Sequence, residues 1–114
     1  MRGTTLLLKV DDTIDRREWV NRVPDLEFFR GGETGVGGYL EAVPYFRKWK
    51  EADESWVDCM AYCNEEGKLN GLPLNRLATT AWKESQLKLG VSVDDILVGD
   101  VVVFFGDREF MDEM

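Results

Sequence analysis

The sequence predicts a small α+β domain, a mostly antiparallel sheet of about four to five strands packed by one main helix and a short N-terminal helix. Three observations carry that reading. Runs of strand character lie near 4–10, 39–43, 56–63 and 96–105, with turn residues between them. One segment, 73–89, steps its apolar residues at helical spacing instead. A chain of 114 residues that is 44% hydrophobic has material for one core and not two, so residues 1–114 form a single domain.

The first strand is Leu6, Leu8 and Val10 alternating with Leu7 and Lys9, and Asp11-Asp12 turns the chain. This start reads as a strand and not as a signal peptide, because it turns charged at Lys9 and has no small-residue cleavage site. Asp12 or Thr13 can cap a short helix holding Arg16, Arg17, Trp19, Val20 and Val23, which Pro24 should stop. Pro24 also suits the start of a second helical piece with Leu26, Phe28 and Phe29. Gly31 to Gly38 is a sharply turned connection, followed by a second strand, Tyr39–Val43, closed by Pro44.

Residues 45–54 read as a surface loop, basic and then acidic. Trp56–Cys63 is a third strand, and Asn64-Glu65-Glu66-Gly67 a turn. From Pro73 the set Leu74, Leu77, Ala78, Ala81 and Ser85 forms one helix face, widened by Trp82 and ended at Gly90. Residues 96–105 make the last strand, bent at Gly99. The unbroken apolar run Val101–Phe105 marks it as central and covered on both faces.

Charge and composition narrow the function. Residues 1–50 carry nine basic and eight acidic side chains, and residues 51–114 carry five and fourteen, so the net charge of −8 sits in the second half. Such a surface repels phosphate backbones, which makes nucleic acid an unlikely partner, and it suits a basic protein groove. No apolar run approaches the roughly 20 residues that cross a bilayer, so no membrane partner is expected. If Cys59 and Cys63 share one strand, their Cα atoms lie roughly 13 Å apart, too far for a disulfide. Two free thiols fit a reducing cytoplasm. A structural zinc site needs about four ligands, and two cysteines with no histidine supply none unless a dimer shares them. No metal and no cofactor are expected, and self-association as a homodimer stays open.

Three blocks carry a resemblance. Gly37-Gly38-Tyr39-Leu40-Glu41-Ala42-Val43-Pro44 opens it, Tyr62 to Arg76 (YCNEEGKLNGLPLNR) strengthens it, and Asp95 to Val103 (DILVGDVVV) closes it. Over roughly residues 36–105 the chain resembles an uncharacterised family of phage, plasmid and bacterial proteins, a DUF 3846-like domain of unknown function. The resemblance implies a bacteriophage or mobile-element origin. By analogy with small accessory proteins of that setting, it implies a role in inhibiting or redirecting host machinery, as in host takeover or anti-defence.

Candidate sites follow from residue chemistry. Trp49 between Arg47, Lys48 and Lys50 is an aromatic among cations, the composition of a protein-contact hot spot. As the alternative, Asn64, Lys68, Asn75 and Arg76 could form a small polar pocket for an anionic signalling nucleotide. Catalysis is not expected: histidine is absent, and the acids after Cys63 raise a thiol pKa. The glycine stretch lacks both the Lys-Ser/Thr ending of a phosphate loop and the third glycine of a dinucleotide fingerprint. The expected function is that of a non-enzymatic binding protein acting on a host protein in the host cytoplasm, with nucleotide sequestration as the rival.

Overall fold

A computed structural model describes all of residues 1–114. The chain opens as a hairpin, β1 (Arg2–Leu8) against β2 (Ile14–Val20). The turn is closed by Asp12 N–H donating to the Lys9 carbonyl, with Asp12 itself left-handed at φ 69°. Asp11 accepts from both the N–H and the hydroxyl of Thr13 and steadies the turn.

The short N-terminal helix expected over 13–23 is therefore a strand. Its local signals, a capping residue and a following proline, are outweighed by pairing. β1 needs a partner on its outer edge, and β2 supplies cross-strand contacts from side chains as well as backbone. Trp19 Nε1 donates to Thr5 Oγ1 at 3.0 Å, and Thr4 Oγ1 donates to Glu18 at 2.7 Å. The second helical piece does form, as a 3₁₀ turn over Leu26–Arg30 capped by Asp25.

The remaining elements are β3 (Leu40–Ala42), β4 (Lys48–Lys50), β5 (Trp56–Asp58), β6 (Met60–Asn64), helix α1 (Arg76–Leu89), β7 (Val101–Gly106) and a short helix α2 (Arg108–Asp112). Five strands form one antiparallel sheet in the order β2-β1-β7-β6-β3, and β4-β5 makes a separate ribbon. The single strand expected over 56–63 is broken at Cys59, because Trp56–Asp58 pairs with β4 while Met60–Tyr62 pairs with β7. Residues 96–98 lie outside the last strand, and their one strand-like pairing is a bridge between Val98 and Leu74. That bridge also shortens the main helix. Pro73 and Leu74 stay extended, Asn75 caps, and helix begins at Arg76.

β1 and β7 lie side by side at the centre, and their alternating side chains feed two cores. Leu6, Leu8, Val101, Val103 and Phe105 face α1, meeting Ala78, Trp82, Phe46 and Leu97. Leu7, Val102 and Phe104 face the other way, under Phe29 and Val36 from the glycine-rich segment. The doubly covered last strand is thus present, and Trp82, Val101, Val103 and Phe105 are buried while Leu77 and Ala81 are half-buried. On the second face Phe29 meets Phe28 and Phe104 edge to face at centroid distances of 5.0 and 5.1 Å. The glycines there serve close approach: a Cβ on Gly35 would lie 1.8 Å from the Phe29 carbonyl oxygen, while Gly37 alone of the stretch needs a positive φ.

Two buried polar side chains fasten α1. Asn75, fully buried, accepts from Ala78 N–H and donates to the carbonyls of Leu8 and Gly99, both at 2.8 Å. Ser85, also fully buried, accepts from the N–H groups of Arg47 and Lys48 and donates to the Tyr45 carbonyl.

Asn75→Ala should lower stability by about 3 kcal/mol, since it strands two buried carbonyls and removes a helix cap. Asn75→Asp keeps the acceptor for the cap but turns lone pairs toward both carbonyls, so chemical denaturation should find it no more stable than the alanine variant. Rescue by aspartate would show that only the cap matters.

Candidate functional site

The residues singled out around Trp49 lie on the β4-β5 ribbon and not on a loop. A turn over 51–54 joins the two strands, with Asp53 accepting from the N–H and hydroxyl of Ser55. Pairing Trp49 with Val57 places the ring on the α1 side, where it is half-buried against the larger core. Its Nε1 donates to Glu51 at 3.1 Å, and Glu51 also holds Arg16 of β2 at 3.4 Å. The flanking cations are engaged too. Lys48 pairs with Asp58, and Lys50 lies 3.9 Å from Glu54. Arg47 is fixed through its backbone by Ser85, and its side chain is exposed. The ring therefore covers the core edge in place of standing free on a surface loop.

The four polar residues of the alternative site do not converge. Asn75 is the buried fastener of α1, and Arg76 is exposed one position further along the helix. Asn64 and Lys68 do come together, at the mouth of a cleft. Both ends of the Asn64 amide are committed, Oδ1 accepting from Glu66 N–H and Nδ2 donating to the Val36 carbonyl. Lys68 is paired with Asp95, whose carboxyl is held below its ordinary value by that lysine and by the Ile96 N–H.

The cleft was not legible in advance, because it forms between segments far apart in sequence. It has a volume of about 230 Å³ and lies between β3 and β6 on one side and residues 93–98 on the other. Val43, Trp82 and Leu97 floor it, each at most 6% exposed. The Trp82 ring is pinned there by Nε1 donating to the Pro44 carbonyl at 2.7 Å. Glu41, Glu65 and Asp95 rim it against one cation, Lys68, for a net charge of −2. The one trace of it in the sequence is that its lining comes from all three of the blocks singled out there, through Glu41–Pro44, Cys63–Glu65 with Lys68, and Asp95–Val98.

Cys63 lines the same cleft, and burial followed by the Glu41 carboxylate pushes its thiol pKa up. Cys59 is buried, donates weakly to the Phe46 carbonyl, and burial pushes its thiol from 9.0 to about 12. Neither thiol is activated as a nucleophile. No three His, Cys, Asp or Glu side chains converge as a metal would require.

Two outcomes follow. Trp49→Ala should destabilise the fold by about 1–3 kcal/mol in thermal or urea melts, as expected for a half-buried ring covering a core. At pH 8 an alkylating reagent should spare Cys59 in the folded chain and modify Cys63 more slowly than a free thiol. Cys59 holds its proton more tightly folded than unfolded. The stability this contributes is therefore intact below about pH 9 and falls as pH rises toward 12.

Over residues 4–112 the chain matches the family described as Domain of unknown function (DUF3846), and it belongs to that family. The match reaches past the three blocks to take in the N-terminal hairpin and the C-terminal helix. No curated protein and no solved structure matches the chain.

Proposed function

We propose, from a family membership that assigns no activity, that this domain is a non-enzymatic binding protein that engages a partner protein through the acidic cleft beside β3 and β6. The supporting observation is the pairing of an apolar floor with a rim of three carboxylates and one neutralised lysine. Such a cleft suits a lysine or arginine side chain, whose aliphatic stem lies on Val43 and Val93 while its head meets Glu41 and Glu65. In the phage or plasmid setting that the resemblance implies, the partner is a protein of the host cell, and occupying its basic surface inhibits or redirects it.

The same rim disfavours the rival reading. A signalling nucleotide would bring two or more negative charges to a net-negative mouth, where the only cation is already paired. Trp49 and its neighbours serve the reading less well than the cleft, because their ring and two of three cations are spent within the fold.

The test reverses the rim. Glu41 and Glu65 are exposed, so Glu41→Lys with Glu65→Lys should leave the melting temperature close to that of the unaltered chain. Immobilised wild type should retain a basic host protein in a salt-sensitive manner, and the double variant should lose at least tenfold in affinity for it. A nucleotide that stabilises the fold, by about 2.7 kcal/mol at a hundredfold excess over its Kd, and does so only while Lys68 is intact, would overturn the proposal in favour of sequestration.

A further inference from the structure

The two edges of the five-stranded sheet are treated differently. On β3 the outward-facing backbone positions are Leu40 and Ala42, because Glu41 lies between two ladder bonds, Val43 N–H to the Ala61 carbonyl and Glu65 N–H to the Tyr39 carbonyl. The next outward position is Pro44, which has no N–H, and its carbonyl is taken by Trp82. That edge is short and blocked, as exposed edges commonly are.

β2 has no such block. It is seven residues long, contains no proline, glycine or lysine, and has β1 as its only neighbour. The bonds Lys9 N–H to Thr13 carbonyl and Asn21 N–H to Met1 carbonyl bracket its ladder, in one register with every pair between them. Hydrogen bonding alternates along an antiparallel pair, so the odd-numbered residues of β2 are spent on β1. The N–H and C=O groups of Ile14, Arg16, Glu18 and Val20 point outward. The side chains of these four share one face, and Ile14 and Val20 are 45% and 51% exposed although apolar.

We propose that β2 is a homodimerisation edge, pairing antiparallel with β2 of a second copy about a two-fold axis at Arg17, so that the two sheets become one. Only even-to-even pairing matches outward groups with outward groups, which leaves three well-overlapped registers. One sets Arg16 on Arg16 of the second copy with Ile14 opposite Glu18, and another sets Glu18 on Glu18 with Arg16 opposite Val20, so each joins a like-charge contact to an apolar side chain set against a charge. The third sets Arg17 on the axis, Arg16 opposite Glu18, and Ile14 opposite Val20. Charges then complement and the exposed apolar ends cover one another. Arg16 and Glu18 already form an ion pair at 2.7 Å within each strand, so the dimer closes a ring of alternating charges. The two Arg17 side chains meet on the other face. Each lies 3.2 Å from its own Asp15 and is stacked over Phe28 at 4.9 Å, and the Asp15 of each strand is diagonal to Arg17 of the other. The edge is independent of the cleft, which lies at the far side of the sheet.

Sedimentation equilibrium across the micromolar to millimolar range tests the pairing. The wild-type chain should approach twice its mass of 13.1 kDa. Arg16→Glu alone and Glu18→Arg alone should each be monomeric, because each sets like charges opposite one another in the proposed register. An equimolar mixture of the two should dimerise. The glutamate introduced at position 16 of one chain then meets the arginine introduced at position 18 of the other, and the remaining native pair is intact. Circular dichroism confirms that each variant is folded, and Arg16→Ala with Glu18→Ala serves as a milder pair of replacements if either is not. A monomeric wild type would overturn the proposal. So would single variants that stay dimeric, or a mixture of folded variants that stays monomeric.

Discussion

Two neighbouring strands, β1 and β7, carry large apolar side chains on both faces, and the rest of the fold is placed by the need to cover them. Leu6, Leu8, Val101 and Val103 require one apolar layer, and Leu7, Val102 and Phe104 require another. At roughly 25 cal/mol for each Å² of apolar surface removed from water, a strand left bare on one side would forfeit several kcal/mol. A chain of this length has one long helix to offer. It covers the first face, and the second is covered by an aromatic cluster on a 3₁₀ turn and a glycine-rich segment. Such a thin cover works because Gly35 lets the backbone lie directly on Phe29, and Phe29 and Tyr62 pack edge-on against Phe104. The short C-terminal helix adds Phe110 over Gly3 and Gly106, where any Cβ would collide with its ring.

Polar side chains settle where the covering layer sits. Apolar contact alone would let α1 slide along the sheet, since it is non-directional. Asn75 prevents this at the helix start by bonding simultaneously to the end of β1 and the approach to β7. Ser85 does the same three turns later, binding three backbone groups at the entry to β4. Thr79 accepts from the Leu97 N–H and so fastens the segment that walls the cleft. The cleft therefore owes its shape to fixed polar ties on both sides, and its floor, Trp82, is held by a hydrogen bond of its own. Family membership over residues 4–112 covers every one of these ties.

Charge distribution then separates two surfaces. At the β3 side, carboxylates gather around an apolar floor with their one cation already neutralised, which repels anions and accommodates a cationic stem. At the β2 side, both signs alternate along an open edge in an order that is complementary to itself. The first arrangement suits a different, basic molecule. The second suits an identical one.

What the sequence determined by itself are the features set by near neighbours along the chain. The strand through Leu6 and Leu8, the helical stripe from Leu77 to Ser85, the Asp11-Asp12 turn, the Gly90 stop and the unbroken apolar run at 101–105 all sit where local pattern places them. Each reflects a local steric or periodic preference that no distant contact opposes. Tertiary structure decided the rest, for the opposite reason. Residues 14–20 have helix-compatible composition, yet they become a strand because β1 has an edge to fill. Trp49 reads as a stray aromatic until Val57 is placed opposite it, whereupon it covers the core. Asn75 reads as a member of a polar pocket until the carbonyls of Leu8 and Gly99 arrive beside it. The acidic cleft exists only where residues near 41, 65, 82 and 95 meet. Hydrogen-bond partners and burial depend on which remote segments come together, and a local pattern cannot specify them because the same residue suits either environment until its neighbour in space is present.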